Sequence, residues 1–284
     1  MAVVSLIASE IRMNSLKKHY PEGAKIKKPI SVVLFQLAAA FFAFPLLVEI
    51  IIKLISLVTS DKEKFLSTIK LLGQGFGFSF GIFFFTIIFS LPLGLVVAAG
   101  KMSKIKTISA FFTVYVSVLR GTPLMLQLLL VYFGPYYLFG VTTGNIEIGP
   151  FNYRFIASII GFSLNYAAYF AEIFRGGIQS MSKGQYEAAQ VLGFSKMQTY
   201  FKIILPQVVK RVLPSVGNEV ITLVKDTSLA QVLAVTEMFT QASALASAQV
   251  SVMPFIVAGI FYYLMNVIIE TLLGLLEKKM NYYS

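Results

Sequence analysis

Eight residues stand out because their polarity interrupts otherwise apolar stretches: Arg120, Asn165, Tyr169, Glu172, Lys225, Asp226, Thr227 and Ser228. Charge inside a long apolar segment is costly, so each is a candidate for handling a solute unless it is merely paired within the protein. Asn165, Tyr169 and Glu172 recur at i, i+4 and i+7, which puts them on one face of one helix. Glu172 could also pair with Arg175 at i+3. Lys225 and Asp226 are adjacent and point about 100° apart, so they cannot simply neutralise each other. Two readings stay open: these groups line a path for a polar solute, or they pair between helices to fix packing and gating. In the last apolar stretch, Asn266 and Glu270 at i,i+4 read most simply as a polar packing seam. Covalent and metal chemistry have little to work with. There is no Cys and only one His, His19, so a Cys/His zinc site, a haem thiolate and a thiol nucleophile are excluded.

The elements that must position these residues are membrane spans. Of 284 residues, 57% are hydrophobic and 13% charged, against roughly half and a quarter in ordinary globular chains. Apolar runs near 30–58, 70–100, 106–138, 154–177, 213–236 and 252–276 suggest six helical spans in an all-α polytopic protein. The fifth is the most polar, and a helix of that kind cannot face lipid all round. Glycines 73, 77 and 81 form small-xxx-small steps that allow close helix approach. Before the spans, residues 1–29 read as a cytoplasmic amphipathic surface segment, too polar for a secretory signal, and 30–60 as a retained amino-terminal transmembrane helix.

The net charge of +11 has two common explanations, a nucleic-acid footprint or positive-inside loops. Placement decides. The amino segment, the 101–106 loop, the 175–211 loop and the tail carry 17 Lys and Arg, and the opposite loops carry 4. This puts both termini in the cytoplasm, gives the charge a topological role and leaves no nucleic-acid partner to expect.

The 178–212 segment is too polar to cross a bilayer yet rich in helix signals. Ser182 with Gln185 and Ser195 with Gln198 match the capping-box spacing. Gly193 suits the end of the first helix, as a residue free to take positive φ. The pattern predicts a short helix, a tight turn and a second helix running to Pro206, with Tyr186, Ala188 and Ala189 on a surface suited to another protein's groove.

Glu187-Ala-Ala, three residues, Gly193, nine residues, Ile203 and then Leu205-Pro206 resembles the EAA loop of permease subunits in ABC importers. Leu119-Arg-Gly-Thr-Pro-Leu with Gln127, Asn165, Ala168-Tyr-Phe-Ala-Glu172, Asn218-Glu and Lys225-Asp-Thr-Ser-Leu229 narrow the likeness to polar amino acid permeases of the histidine, glutamine and arginine type. The similarity covers about residues 68 to 278, and the chain adds a span and a surface segment before the usual five-span core. The resemblance implies a type I permease domain over 61–284 whose coupling residues are Tyr186, Glu187, Ala188, Ala189 and Gly193. It implies a second permease, identical or not, two cytoplasmic ATPases that hold ATP and Mg, and an extracytoplasmic substrate-binding protein. The chain itself would bind no cofactor, and its home would be a prokaryotic cell membrane.

The residues agree with that division of labour. The nearest approach to a phosphate-cradling loop runs from Gly94 to Gly100-Lys101-Met102; five residues separate the glycines where four are required, and Met102 replaces the Ser or Thr that holds Mg²⁺. An amino acid carries one carboxylate and one ammonium, and Arg120, Lys225, Asp226, Glu172, Asn165 and Thr227 supply the cations, anions and hydrogen-bonding groups to meet both. An ion-coupled secondary transporter using Glu172 or Asp226 is the alternative, and a non-transporting membrane scaffold a third.

Overall fold

The computed structural model describes residues 62–142, 147–148 and 151–280. The expected surface segment and added amino-terminal span, 1–60, lie outside the described residues. Helix α1 (Lys62–Lys101) begins eight residues before the expected span; at 40 residues and about 1.5 Å per residue it is roughly twice as long as a hydrocarbon core is thick. Helices α2 (Lys106–Gly121) and α3 (Leu124–Phe139) follow, then a two-residue antiparallel pair, β1 (Glu147–Ile148) with β2 (Phe151–Asn152), in which Ile148 faces Phe151 in register. Helix α4 (Tyr153–Gln179) is capped by Asn152, whose Oδ1 accepts from the Phe155 amide at 3.1 Å.

A short α5 (Lys183–Val191) and the turn at Gly193 lead through α6 (Lys196–Gln198) and a π-helical stretch, Thr199–Ile204, into α7 (Leu205–Asp226). A 3-10 stretch (Thr227–Leu233), α8 (Met238–Gln249) and α9 (Met253–Met280) complete the described chain.

Two expected spans take a different form. The stretch 106–138 is two helices bent by 113° at the Thr122-Pro123 break, because the residue before a proline is pushed out of the helical region; Thr122 sits at φ −118°, ψ 151°. The expected 213–236 span starts earlier, inside the 178–212 segment, and its α-helix stops at Asp226. The second helix of that segment does not end at Pro206 either. The wider π turn just before the proline gives its ring room, so the helix runs on. Among the described residues, α1, α4 and α9 are each long and apolar enough to cross a membrane, with α2 and α3 together as a fourth; α7 is not in that set.

The core forms where α1, α3, α4 and α7 meet, around Ile82, Leu128, Phe162, Tyr166, Phe170 and Leu223. Of the three glycines the pattern singled out, Gly81 makes a close approach, a Cβ there lying 3.1 Å from the Phe155 ring, and other glycines come closer still. A Cβ at Gly94 would lie 2.8 Å from the Phe170 Cβ and one at Gly161 2.7 Å from a Leu128 methyl, whereas Gly73 and Gly77 have nothing within 4 Å. Small residues therefore seat α4 against both α1 and α3.

Candidate functional site

The break between α2 and α3 leaves carbonyls at the end of α2 without helical donors, and a buried carbonyl must find one elsewhere. Gln127, one turn into α3, supplies it: its Nε2 donates to Leu119 O at 2.8 Å, Thr122 O at 3.0 Å and Thr122 Oγ1 at 2.9 Å. Asn165 of α4 completes the elbow, its Nδ2 donating to Leu119 O at 3.0 Å and to Gln127 Oε1 at 2.9 Å. At 4% exposure, with its amide donor committed twice, Asn165 stabilises the elbow.

The elbow lifts Arg120 into an exposed position, where its guanidinium lies 5.1 Å from the centre of the Tyr169 ring, a cation–π distance. The Tyr169 ring sits 6.2 Å from that of Tyr166, and the Tyr166 hydroxyl donates to Asp226 Oδ2 at 2.7 Å. Glu219, two turns before Asp226 on α7, lies within the electrostatic reach of both Arg120 and Asp226. The structure thus brings Arg120, Tyr169 and Asp226 together from three helices and adds Tyr166 and Glu219. Glu219 was visible in the sequence as a carboxylate at i−7 from Asp226, and Tyr166 as a phenol one position past Asn165.

The other candidates sit apart from this chain of contacts. Lys225 is exposed beside Asp226, and Ser228 turns its hydroxyl back onto Lys225 O at 2.8 Å. Thr227, 1% exposed, donates to Val224 O at 2.8 Å, so its hydroxyl finishes the end of α7 instead of facing a path. Glu172 shares a helix face with Asn165 and Tyr169 but meets different partners. Arg175 holds its Oε2 through Nη2 at 2.7 Å and Nε at 3.1 Å, and Lys101, the last residue of α1, holds its Oε1.

In the 178–212 segment, Tyr186, Glu187 and Ala188 of α5 are exposed. Ala189 is 1% exposed, so it anchors the helix and is not part of its outer surface. Successive helical residues point about 100° apart, which separates exposed Ala188 from its buried neighbour Ala189. Gly193 adopts φ +77°, and the turn closes with Phe194 N donating to Ala189 O at 3.0 Å. Ser195 and Gln198 form the expected capping box; Ser182 takes the N-cap position without a side-chain bond, and the Gln185 side chain instead accepts from Gln207 of α7 at 3.2 Å. At and beyond the end of α5, Val191, Leu192 and Met197 are exposed apolar residues.

One buried carboxylate falls outside every expectation for the site. Glu237, fully buried, caps α8 through the Phe239 and Thr240 amides at 2.7 and 2.6 Å. It also accepts from Ser79 of α1 at 3.1 Å and Tyr262 of α9 at 3.2 Å, so one side chain joins three helices. Ser79 in turn accepts from the Met238 amide at 3.1 Å. The signal was present in sequence as an acid directly before an Ala-rich helix.

These features define a polytopic helical subunit with a polar cluster between its helices and a short, largely exposed helix between α4 and α7. Residues 90–282 match the family described as binding-protein-dependent transport system inner membrane component, and the chain belongs to that family. It is 33% identical over 215 residues to the L-cystine transport system permease protein TcyB of Bacillus subtilis (strain 168), covering 75% of this chain and 88% of TcyB. It is 36% identical to the nopaline transport system permease protein NocM of Agrobacterium fabrum, over 70% of this chain and 83% of that protein. The crystal structure of an amino acid ABC transporter with histidines superposes with a TM-score of 0.66 at 34% identity, over 76% of this chain and 98% of that one. A MetNI methionine ABC transporter in inward-facing conformations shares the fold, with a TM-score of 0.54 at 15% identity. The chain is therefore a membrane-spanning permease subunit of a binding-protein-dependent transport system, and the ion-coupled alternative is not favoured.

Proposed function

We propose that this subunit forms half of the translocation path of an ATP-driven importer for a polar or charged amino acid, with Arg120, Tyr169, Tyr166, Glu219 and Asp226 facing the solute. The observation that carries this reading is the continuous series from the Arg120 guanidinium through two aromatic rings to the Asp226 carboxylate. It offers a cation for a carboxylate at one end and carboxylates for an ammonium at the other. Lys225 and Ser228 stand at its margin, Asn165 and Thr227 position the elements that carry it, and Glu172 braces α4 against α1. The names of the relatives, for cystine and nopaline transport, support the amino acid class.

The exposed Tyr186, Glu187 and Ala188, held by Ala189 and Gly193, form the docking surface for a separate cytoplasmic ATPase that carries ATP and Mg. A second permease, a second ATPase and an extracytoplasmic substrate-binding protein complete the assembly. Both termini lie in the cytoplasm, with 1–29 on the membrane surface, 30–60 as an added span and 61–284 as the permease domain.

The complete complex reconstituted in vesicles takes up radiolabelled amino acid when ATP is enclosed with the ATPases and the binding protein is outside. Uptake that follows an imposed ion gradient, without ATP, would overturn the reading.

A further inference from the structure

The last turn of α3 exposes large apolar side chains on every side. Tyr136, Tyr137, Leu138 and Phe139 are consecutive and all exposed, Tyr137 at 76% and Phe139 at 78%. Successive helical residues point about 100° apart, so four in a row go right round the helix. Phe133, also exposed, extends the surface one turn back. The rings form a connected series, in which centroids lie 5.2 Å apart for Tyr136 and Tyr137, 6.2 Å for Tyr137 and Phe133, and 4.8 Å for Phe133 and Tyr132. Tyr132 in turn lies 5.4 Å from the ring of Tyr153, the first residue of α4, whose hydroxyl donates to Val131 O at 3.2 Å. Past that contact α3 runs on for about two turns.

This helix end is closed. Gly140 takes φ +65°, its N–H donates to Tyr136 O at 2.9 Å, and Val141 N donates to Pro135 O at 3.1 Å, the terminus that a left-handed glycine permits. The collar of rings is therefore held in a fixed place at the end of the bent α2–α3 pair.

Two observations say what surrounds it. A docked protein covers one face of a helix and meets a polar rim, whereas here every direction is apolar or aromatic and the chain carries no charged residue from Gly121 to Ile146. Exposed Met125, Leu126 and Leu130 carry the same apolar flank back along α3, so the surface changes only from aliphatic to aromatic at its end. Tyrosine has an apolar ring and a polar tip, and it concentrates where hydrocarbon meets water. We propose that the end of α3 is an interfacial anchor whose Tyr136, Tyr137 and Phe139 rings sit in the headgroup layer of the bilayer. Because α3 starts at the elbow beside Arg120, fixing its far end fixes the depth of that elbow. The anchor requires only that the chain spans a membrane, and it stands apart from the reading of the solute path.

The chain has no tryptophan, so one introduced here is the sole indole in the protein. Tyr137→Trp and Phe139→Trp lie about 200° apart round the helix. Each is made in the full-length protein and reconstituted in phosphatidylcholine vesicles that carry a nitroxide either on the choline headgroup or near the end of the acyl chain. Leu264→Trp, exposed and well inside α9, is the deep reference and loses more emission to the chain label. Both α3 variants lose most of their emission to the headgroup label and less to the chain label, with thermal midpoints unchanged. Emission quenched by aqueous iodide but by neither label places the end of α3 in water, and emission insensitive to all three places it under another protein surface. Either result overturns the proposal, as does quenching of only one of the two variants or stronger quenching by the chain label.

Discussion

At the scale of single residues, the buried carboxylate of Glu237 and the partly exposed one of Asp226 make opposite demands. Glu237 accepts from two backbone amides and from three hydroxyls on three helices, those of Ser79, Thr240 and Tyr262, so its removal orphans several donors at once. Loss of an N-cap costs about 1 kcal/mol and each buried unsatisfied group about 1–3 kcal/mol. Glu237→Ala is expected to destabilise the protein by about 3 kcal/mol, measured as a fall in thermal midpoint in detergent, while Tyr262→Phe, which deletes one long bond, costs under about 1 kcal/mol. Asp226 holds a single hydroxyl, that of Tyr166. Asp226→Asn keeps shape and that bond while removing charge, so it should leave assembly and melting intact and reduce uptake of a cationic amino acid at least about tenfold, equivalent to about 1.4 kcal/mol. Unchanged uptake would make Asp226 a packing group.

Among elements, the α2–α3 elbow and the α5 turn are the two that a straight reading of hydropathy could not draw. Gln127→Leu should leave the Leu119 and Thr122 carbonyls short of donors and cost about 2 kcal/mol. Asn165→Leu removes a second donor to the same carbonyl, so a double-mutant cycle of the two should show coupling beyond simple addition; additivity would mean that the elbow does not depend on the shared amide network. At the turn, Gly193→Val places a β-branched residue at φ +77°, where left-handed backbone costs roughly 1–2 kcal/mol. The expected outcome is normal membrane insertion with loss of ATPase co-purification.

The helices of α1, α4 and α9 were legible because long apolar runs leave little choice of structure, and the Gly193 turn because φ is a local property. The Pro123 position signalled a loosening at the elbow, but its angle depends on Gln127 and Asn165, 38 residues apart, and no local pattern encodes that meeting. Likewise, helical spacing put Asn165, Tyr169 and Glu172 on one face and could not say that each would meet a different neighbour. Ala189 shows the same limit on the scale of a turn: the spacing of a surface helix is periodic, while the core it docks on is supplied by elements far along the chain.

For the whole molecule, the proposed orientation rests on the excess of basic residues in one set of loops over the other. A reporter active only in the cytoplasm, fused after Ser284, should be active, and the same reporter placed between Gly140 and Asn145 should be silent. The reverse pattern would invert the topology and move α5 to the wrong side of the membrane for any ATPase.

The elbow also bears on how the chain enters the bilayer during synthesis. Helices α2 and α3 have 16 residues each, about 24 Å of helix, less than the roughly 30 Å of a hydrocarbon core. Neither can be handed to lipid as a finished span, so the insertion machinery must release them as a pair. At that moment Asn165 has not yet entered the membrane, and the Leu119 carbonyl relies on Gln127 alone. The nascent pair is therefore a polar defect waiting for α4, and its repair by Asn165 makes the arrival of that helix an ordered step of biogenesis as well as a packing event.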